Sequence, residues 1–256
     1  MTNSDVTIRV YENQTALAQA AAREFVATVC TLQNTKNMVN VVLTGGGAGV
    51  ETLRQIAALD AAARQQAESF PIQAIDWNRV NVFFGDERYL PEGDPERNDT
   101  QAQEALLAHV DVPEFNIFRY AAPSPEDDYA GEGLDRAAES YAQLIQEHAP
   151  DGFDVHLLGM GPEGHINSLF PHTEELLQPK DCVVPVRDCP KPPANRVSLS
   201  IDAVNDADHV WLLVAGAAKR EAAVQVAEGG NGAQWPAALA TGRQSTVLWV
   251  DQEAQP

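Results

Sequence analysis

Positive charge is the scarcest property of this chain. Its 256 residues hold 17 lysines and arginines against 37 aspartates and glutamates, a formal net charge of −20 at pH 7. That balance argues against nucleic acid or an anionic membrane surface as a partner, since both demand a basic footprint. Only four residues are lysine: Lys36, Lys180, Lys191 and Lys219. A cation beside a loop that carries chemistry is therefore informative here, because an anionic ligand has to find one. Cysteine is sparse as well. Cys30, Cys182 and Cys189 are odd in number and scattered, which excludes a disulfide framework and offers no zinc spacing. Cys30 sits in an apolar helical pattern and is expected to be a small buried thiol. No apolar run approaches the roughly 20 residues that span a bilayer. The opening Met1-Thr2-Asn3-Ser4-Asp5 lacks the basic segment and apolar core of a signal peptide. A cytoplasmic location is expected, with no membrane and no obligate protein partner.

What is present fits a globular enzyme. Hydrophobic residues make up 44% and charged residues 21%, enough apolar material for a substantial core in one α/β domain over residues 1–256. Alternation predicts a strand at 6–10, and apolar spacings of three and four predict a helix over 15–32. Short β-branched runs predict strands at 39–43, 79–84, 154–158, 209–214 and 245–250, with a shorter one at 116–119. Helices are expected over 50–59 and 98–107, within 126–148, and from Lys219 to about Glu228. Residues 182–186 and 196–199 read as a β pair around the rigid Pro190-Lys191-Pro192-Pro193 segment. Strands alternating with helices predict a doubly wound, mostly parallel sheet flanked by helices on both faces, Rossmann-like, with a small β-containing insertion.

Every loop of chemical interest follows a strand, so in a parallel sheet these loops gather along one edge. The first is Thr44-Gly45-Gly46-Gly47-Ala48-Gly49, where glycines admit a ligand close to the backbone and a helix start offers free N–H groups to an anion. No P-loop lysine follows, which disfavours nucleoside triphosphates. The second is Asp86-Glu87-Arg88, continuing to Arg97-Asn98: carboxylates suit sugar hydroxyls and a guanidinium suits phosphate. The third runs from Gly159 through Glu163 and His165 to Pro171, and places a histidine, the side chain that exchanges protons near neutrality, at a strand's carboxyl end. Its Gly159-x-Gly161-x-x-Gly164 spacing formally matches a dinucleotide fingerprint. However, Pro171 stops any helix within two turns, and the next strand ends without an acid. The spacing of His156, His165 and His172 offers no helical metal pair; His156 lies within a strand and reads as a core residue. The fourth loop, Gly216-Ala217-Ala218-Lys219, sets a lysine at a helix start, which is unfavourable unless an anion neutralises it. Arg196 is a weaker candidate for the same anion. No Gly-x-Ser-x-Gly elbow is present, so the inventory favours attack by water with His165 as general base.

Together these segments resemble the 6-phosphogluconolactonase family over nearly the whole chain. The family's glycine-rich loop resembles Thr44 to Gly49, its Asp-Glu-Arg segment Asp86 to Arg88, and its Gly-x-Gly-x-Asp-Gly-His-x-x-Ser-Leu-Phe-Pro signature Gly159 to Pro171. Its Arg-(Ile/Val)-(Thr/Ser)-Leu segment resembles Arg196 to Leu199, and its Gly-x-x-Lys segment Gly216 to Lys219. Two departures stand out. Ala48 and Gly49 replace the family's usual hydroxyl-bearing pair, leaving Thr44 as the nearby hydroxyl, and Glu163 replaces an aspartate. The resemblance implies hydrolysis of 6-phospho-D-glucono-1,5-lactone to 6-phosphogluconate, the second step of the oxidative pentose phosphate pathway, with no cofactor and no metal. The residue roles fit that chemistry: His165 activates water, and Glu163 or a neighbouring acid orients the imidazole. Asp86 then positions sugar or water, and Lys219, Arg88 and Arg196 hold phosphate. Amides of Gly45, Gly46 and Gly47 serve either an oxyanion or the phosphate. A glucosamine-6-phosphate deaminase resembles the same fold but continues its histidine loop with a glutamate that Ile166-Asn167-Ser168-Leu169-Phe170-Pro171 lacks. A sugar-phosphate-binding regulator would need a basic DNA-binding segment, which is absent from the sequence.

Overall fold

The computed structural model describes residues 6–65, 74–124 and 131–256. Six strands form one parallel sheet: β1 (Val6–Tyr11), β2 (Val39–Leu43), β3 (Val80–Phe84), β5 (Phe153–Gly159), β8 (Ala207–Val214) and β9 (Ser245–Asp251), in the order β1-β9-β8-β5-β2-β3. Between β3 and β5 in the chain lies β4 (Asp86–Arg88). It joins β6 (Val183–Val186) and β7 (Arg196–Leu199) in a small antiparallel sheet ordered β4-β7-β6. The seven α-helices of the described residues are α1 (Gln14–Leu32), α2 (Gly47–Gln65), α3 (Asn98–Ala105), α4 (Glu132–His148), α5 (Glu174–Leu177), α6 (Ile201–Asn205) and α7 (Arg220–Glu228). No helix among the described residues is long and apolar enough to cross a membrane.

Local chemistry explains most of these elements. Strands β2, β3, β5 and β8 are mostly apolar and largely buried because helices cover both faces of a parallel sheet. Helix α1 starts where the Asn13 side chain accepts the Ala16 N–H at 2.9 Å, and its buried stripe runs Leu17, Ala21, Phe25 and Val29. Phe83 stacks on Phe118 and meets Tyr141 and Phe153 edge-on. The Tyr141 hydroxyl accepts the Phe84 N–H at 2.8 Å and donates towards the Phe118 carbonyl at 3.1 Å. Gly85 links the two sheets: its N–H donates to Leu43 in the large sheet, and its carbonyl accepts from Leu199 in the small one.

Four expectations change. Residues 86–88 are a strand, not a loop, because β7 supplies a partner that is distant in sequence. The strand expected at 116–119 is a 3-10 turn, Glu114–Asn116, followed by a single bridge from Ile117 to Val82. Helix α2 begins at Gly47, three residues early, so the glycine loop supplies its first turn. Of the span 126–148, expected to contain a helix, residues 126–130 lie outside the described residues. Cys30 is half-buried rather than fully enclosed.

His156, in the middle of β5, is fully buried, and neither ring nitrogen meets a hydrogen-bond partner. Burial pushes its pKa down to about 3. The unfolded chain therefore takes up this proton first as pH falls below about 6.5, and stability drains away between there and about pH 3. His156→Leu removes both the bare polar atoms and this linkage. It should unfold at an equal or higher urea concentration at pH 7, and lose less stability than wild type on acidification to pH 4.5. Identical pH slopes for the two proteins would contradict this account.

Candidate active site

The carboxyl ends of β2, β3, β5 and β8 open onto a crevice of about 240 Å³ lined by Thr44 to Gly49, Asp86, Arg88, Asn98, Gly159 to Pro162, His165, Asn167, Arg196 and Lys219. A larger hollow of about 660 Å³ lies between α4, the α5 region and β6, but it contains no histidine and none of the glycine loop. Chemistry, not size, singles out the smaller one.

Thr44 closes the first side. Its hydroxyl accepts the Gly159 N–H at 3.0 Å, tying the end of β2 to the end of β5. Gly46 turns the chain with φ of 79°, and the Val50 N–H returns to its carbonyl, so the N–H groups of Gly47, Ala48 and Gly49 form the open first turn of α2. Gly45 has no room for a side chain: a Cβ there would lie 2.1 Å from Asn98 Oδ1.

The Asp86-Glu87-Arg88 segment divides by strand alternation. Asp86 is buried and accepts from Asn98 Nδ2 at 2.9 Å and from Ser168 Oγ at 2.6 Å, so it brackets three loops. Arg88 reaches the crevice; its Nη1 donates to the Glu96 carbonyl at 2.5 Å, and its Nε is buried without a partner. Glu87 points the other way and caps α3, accepting the Asn98 N–H at 2.7 Å and the Asp99 N–H at 2.9 Å. Burial and the Asp99 carboxylate push the Glu87 carboxyl up, against the pull of Arg97 and these two amides. Arg97 is interior too. It forks onto Asp99 at 3.0 and 2.7 Å and donates to the carbonyls of Leu90 and Tyr120.

The histidine loop is a tight turn in which the Gly161 N–H donates to the His165 carbonyl and the Gly164 N–H to the Gly161 carbonyl, both at 2.9 Å. Gly161 is required by its neighbour: a Cβ there would sit 2.0 Å from His165 Nδ1. The imidazole stacks on Phe170 at 4.4 Å. Burial pushes the His165 pKa down to about 4; Glu163 and Asp86 oppose this and Lys191 adds to it. Glu163 Oε1 lies 3.1 Å from His165 Nδ1, out of line for a hydrogen bond, and 2.7 Å from Lys191 Nζ. Burial raises the Glu163 carboxyl, but the Lys191 hydrogen bond and neighbouring groups outweigh it and hold it below the usual carboxylate range.

Lys219 ends a 3-10 turn, Ala217–Lys219, behind Gly216, whose N–H is held by both Asp251 oxygens at 3.1 Å. Among the described residues no carboxylate lies within 4.0 Å of its ammonium. Burial, then Lys191, depress its pKa. Arg196 is buried and donates to the carbonyls of Lys191, Pro192 and Pro193 at 3.2 Å, bracing the loop that carries Lys191. Thus Lys219, Arg88 and Arg196 line one crevice of a strongly acidic chain, with Lys191 beside it.

The structure gathers Thr44, Gly45, Gly46, Gly47, Asp86, Arg88, His165, Arg196 and Lys219 around the crevice, with Glu163 against the His165 ring. Asn98 and Ser168, both within loops singled out from the sequence, hold Asp86, while Asn167 lines the crevice although its local sequence gives it no role, and Lys191, whose rarity was a usable signal, joins Glu163. The structure sends Arg97 and Glu87 into the interior.

Comparison with known proteins identifies the family. A family model described as glucosamine-6-phosphate isomerases/6-phosphogluconolactonase matches residues 12–249. A 6-phosphogluconolactonase of Mycobacterium tuberculosis is 42% identical over 253 residues, covering 97% of this chain and 96% of that protein. One from Streptomyces coelicolor is 38% identical, covering 96% and 92%. In three dimensions the crystal structure of 6-phosphogluconolactonase from Thermotoga maritima superposes with a TM-score of 0.81 at 24% identity, covering 97% of this chain and all of that one. A monomeric glucosamine-6-phosphate deaminase of the NagB superfamily superposes at 0.77 with 22% identity, covering 97% and 98%, so the fold alone does not separate the two chemistries. By both the family match and the near full-length relatives, the chain belongs to the glucosamine-6-phosphate isomerase/6-phosphogluconolactonase family.

Proposed function

We propose that this protein is a 6-phosphogluconolactonase that hydrolyses 6-phospho-D-glucono-1,5-lactone to 6-phosphogluconate. The observation that carries the reading is the His165 imidazole in the same crevice as three cationic side chains, with no serine or cysteine among the described residues that line it. Glu163 lies on the Nδ1 side of the ring, which leaves Nε2 for water. His165 takes a proton from that water as its oxygen attacks the lactone carbonyl carbon. The tetrahedral oxyanion collapses, the bond to the ring oxygen breaks, and the imidazolium returns the proton to that oxygen. First-turn amides of α2, freed by Gly45, Gly46 and Gly47, offer donors to the developing oxyanion or the phosphate. Lys219, Arg88 and Arg196 supply the phosphate's counter-charge, and Asp86 orients the sugar. Glu163 steadies the imidazolium while Lys191 keeps Glu163 ionised.

The test follows freshly generated lactone by NMR at near-neutral pH, with and without catalytic protein, because the lactone also opens spontaneously. Acceleration is expected. Loss at the spontaneous rate, or release of ammonia from glucosamine 6-phosphate, would overturn the reading. Lys219→Ala should raise KM roughly 10- to 100-fold, the worth of a charge-assisted contact, with kcat changed only a few-fold. A pure kcat defect would instead place Lys219 in the chemistry.

A further inference from the structure

We infer that Asn167 is a specificity residue of this site, its carboxamide reading one hydroxyl of the sugar ring by donating one hydrogen bond and accepting another. The inference rests on the lactone reading above and names a contact that the phosphate cations and His165 do not supply. Asn167 lines the crevice beside His165, Asp86 and Arg88, is only 8% exposed, and has neither Nδ2 nor Oδ1 partnered. A buried amide left unsatisfied is costly unless a ligand completes it.

The surroundings hold this side chain in place without bonding it. Its backbone is left-handed, φ 48°, a conformation asparagine tolerates better than most residues. Ile166 and Leu169 bridge across it, and the next residue, Ser168, is fastened to Asp86 and to Ser198 Oγ. The amide lies against Gly85, where a Cβ would stand 2.4 Å from Oδ1. A hydroxyl both donates and accepts, which matches a carboxamide with both functions free. A site built to bond a hydroxyl rejects the analogue lacking it, because the protein's polar group is then stranded.

The experiment compares wild type and Asn167→Gly on 6-phosphogluconolactone and on three analogues lacking the hydroxyl at carbon 2, 3 or 4. Glycine accepts the positive φ, so the loop survives the truncation. Wild-type kcat/KM should fall roughly 10- to 100-fold on one deoxy lactone. Asn167→Gly should lose a similar factor on the parent and nothing further on that analogue. Gly85→Ala gives a second route, since its methyl displaces the amide without altering residue 167. It should mimic Asn167→Gly and add little to it in the double variant. Uniform losses across all four lactones, retained discrimination in Asn167→Gly, or full additivity of the two changes would overturn the inference alone. Wild type leaving the parent lactone at its spontaneous rate would instead overturn the reaction reading, and this inference with it.

Discussion

His165→Ala lowers kcat on the lactone by roughly 10² to 10⁴ while KM stays within a few-fold, the signature of a lost general base. The ring is stacked on Phe170 and hemmed in by Gly161, so truncation leaves a small void at the crevice edge and should spare the fold. Its titration supplies an independent check. Burial has pushed the pKa down to about 4, so the free protein should show a His165 NMR titration midpoint well below the ordinary 6.5. The imidazole is then neutral and ready to accept a proton throughout the neutral range. A midpoint near 6.5, or a His165→Ala variant with full turnover, would contradict the assignment. The same depression costs stability: the unfolded chain gains this proton below about pH 6.5, and the folded one does not until about pH 4.

Arg97→Ala should destabilise the fold by about 3–5 kcal/mol, the usual cost of breaking a buried ion pair on one side. The side chain is 1% exposed and answers the Asp99 carboxylate, with Glu87 3.9 Å away, as well as two carbonyls. Its removal leaves the Asp99 carboxylate without its guanidinium and takes away the pull of Arg97 against the Glu87 carboxyl, which burial has already raised to about 8 and which then rises further. A carboxyl raised above its unfolded value costs stability as pH rises towards its folded pKa, so the variant should be more destabilised at pH 9 than at pH 7. Urea unfolding at both values checks this. Arg88→Ala, nine residues earlier, should instead raise KM and move the unfolding midpoint far less, because Arg88 faces the crevice. A small, pH-independent loss in Arg97→Ala would show that the buried pair is not what holds α3 to β4.

These two arginines mark the boundary of what the sequence can convey. Both stand in the same polar, proline-punctuated stretch, and composition gives no reason to send one inward and the other to the ligand. That choice depends on β4 pairing with β7, more than a hundred residues away, which fixes the direction of each side chain from Asp86 to Arg88. The same pairing turned an expected loop into a strand, and no local propensity carries such information. Lys191 is a similar case: it lies in the loop between β6 and β7, meets Glu163 of the distant histidine loop, and has its carbonyl held by Arg196.

The parallel sheet was legible because its strands are short apolar runs spaced by amphipathic helices, a pattern that hydrophobic burial enforces locally. The meeting of four loops on one edge followed from strand direction, and the chemistry from residue types that only such loops need. By itself, then, the sequence determined the sheet, its loaded edge and the histidine with its cations. Tertiary structure alone decided which acid faces the crevice, which lysine holds Glu163, and that the Asn167 amide stays bare. Those outcomes depend on pairings and close packing between segments far apart in the chain, and on burial, which no residue carries before the chain folds.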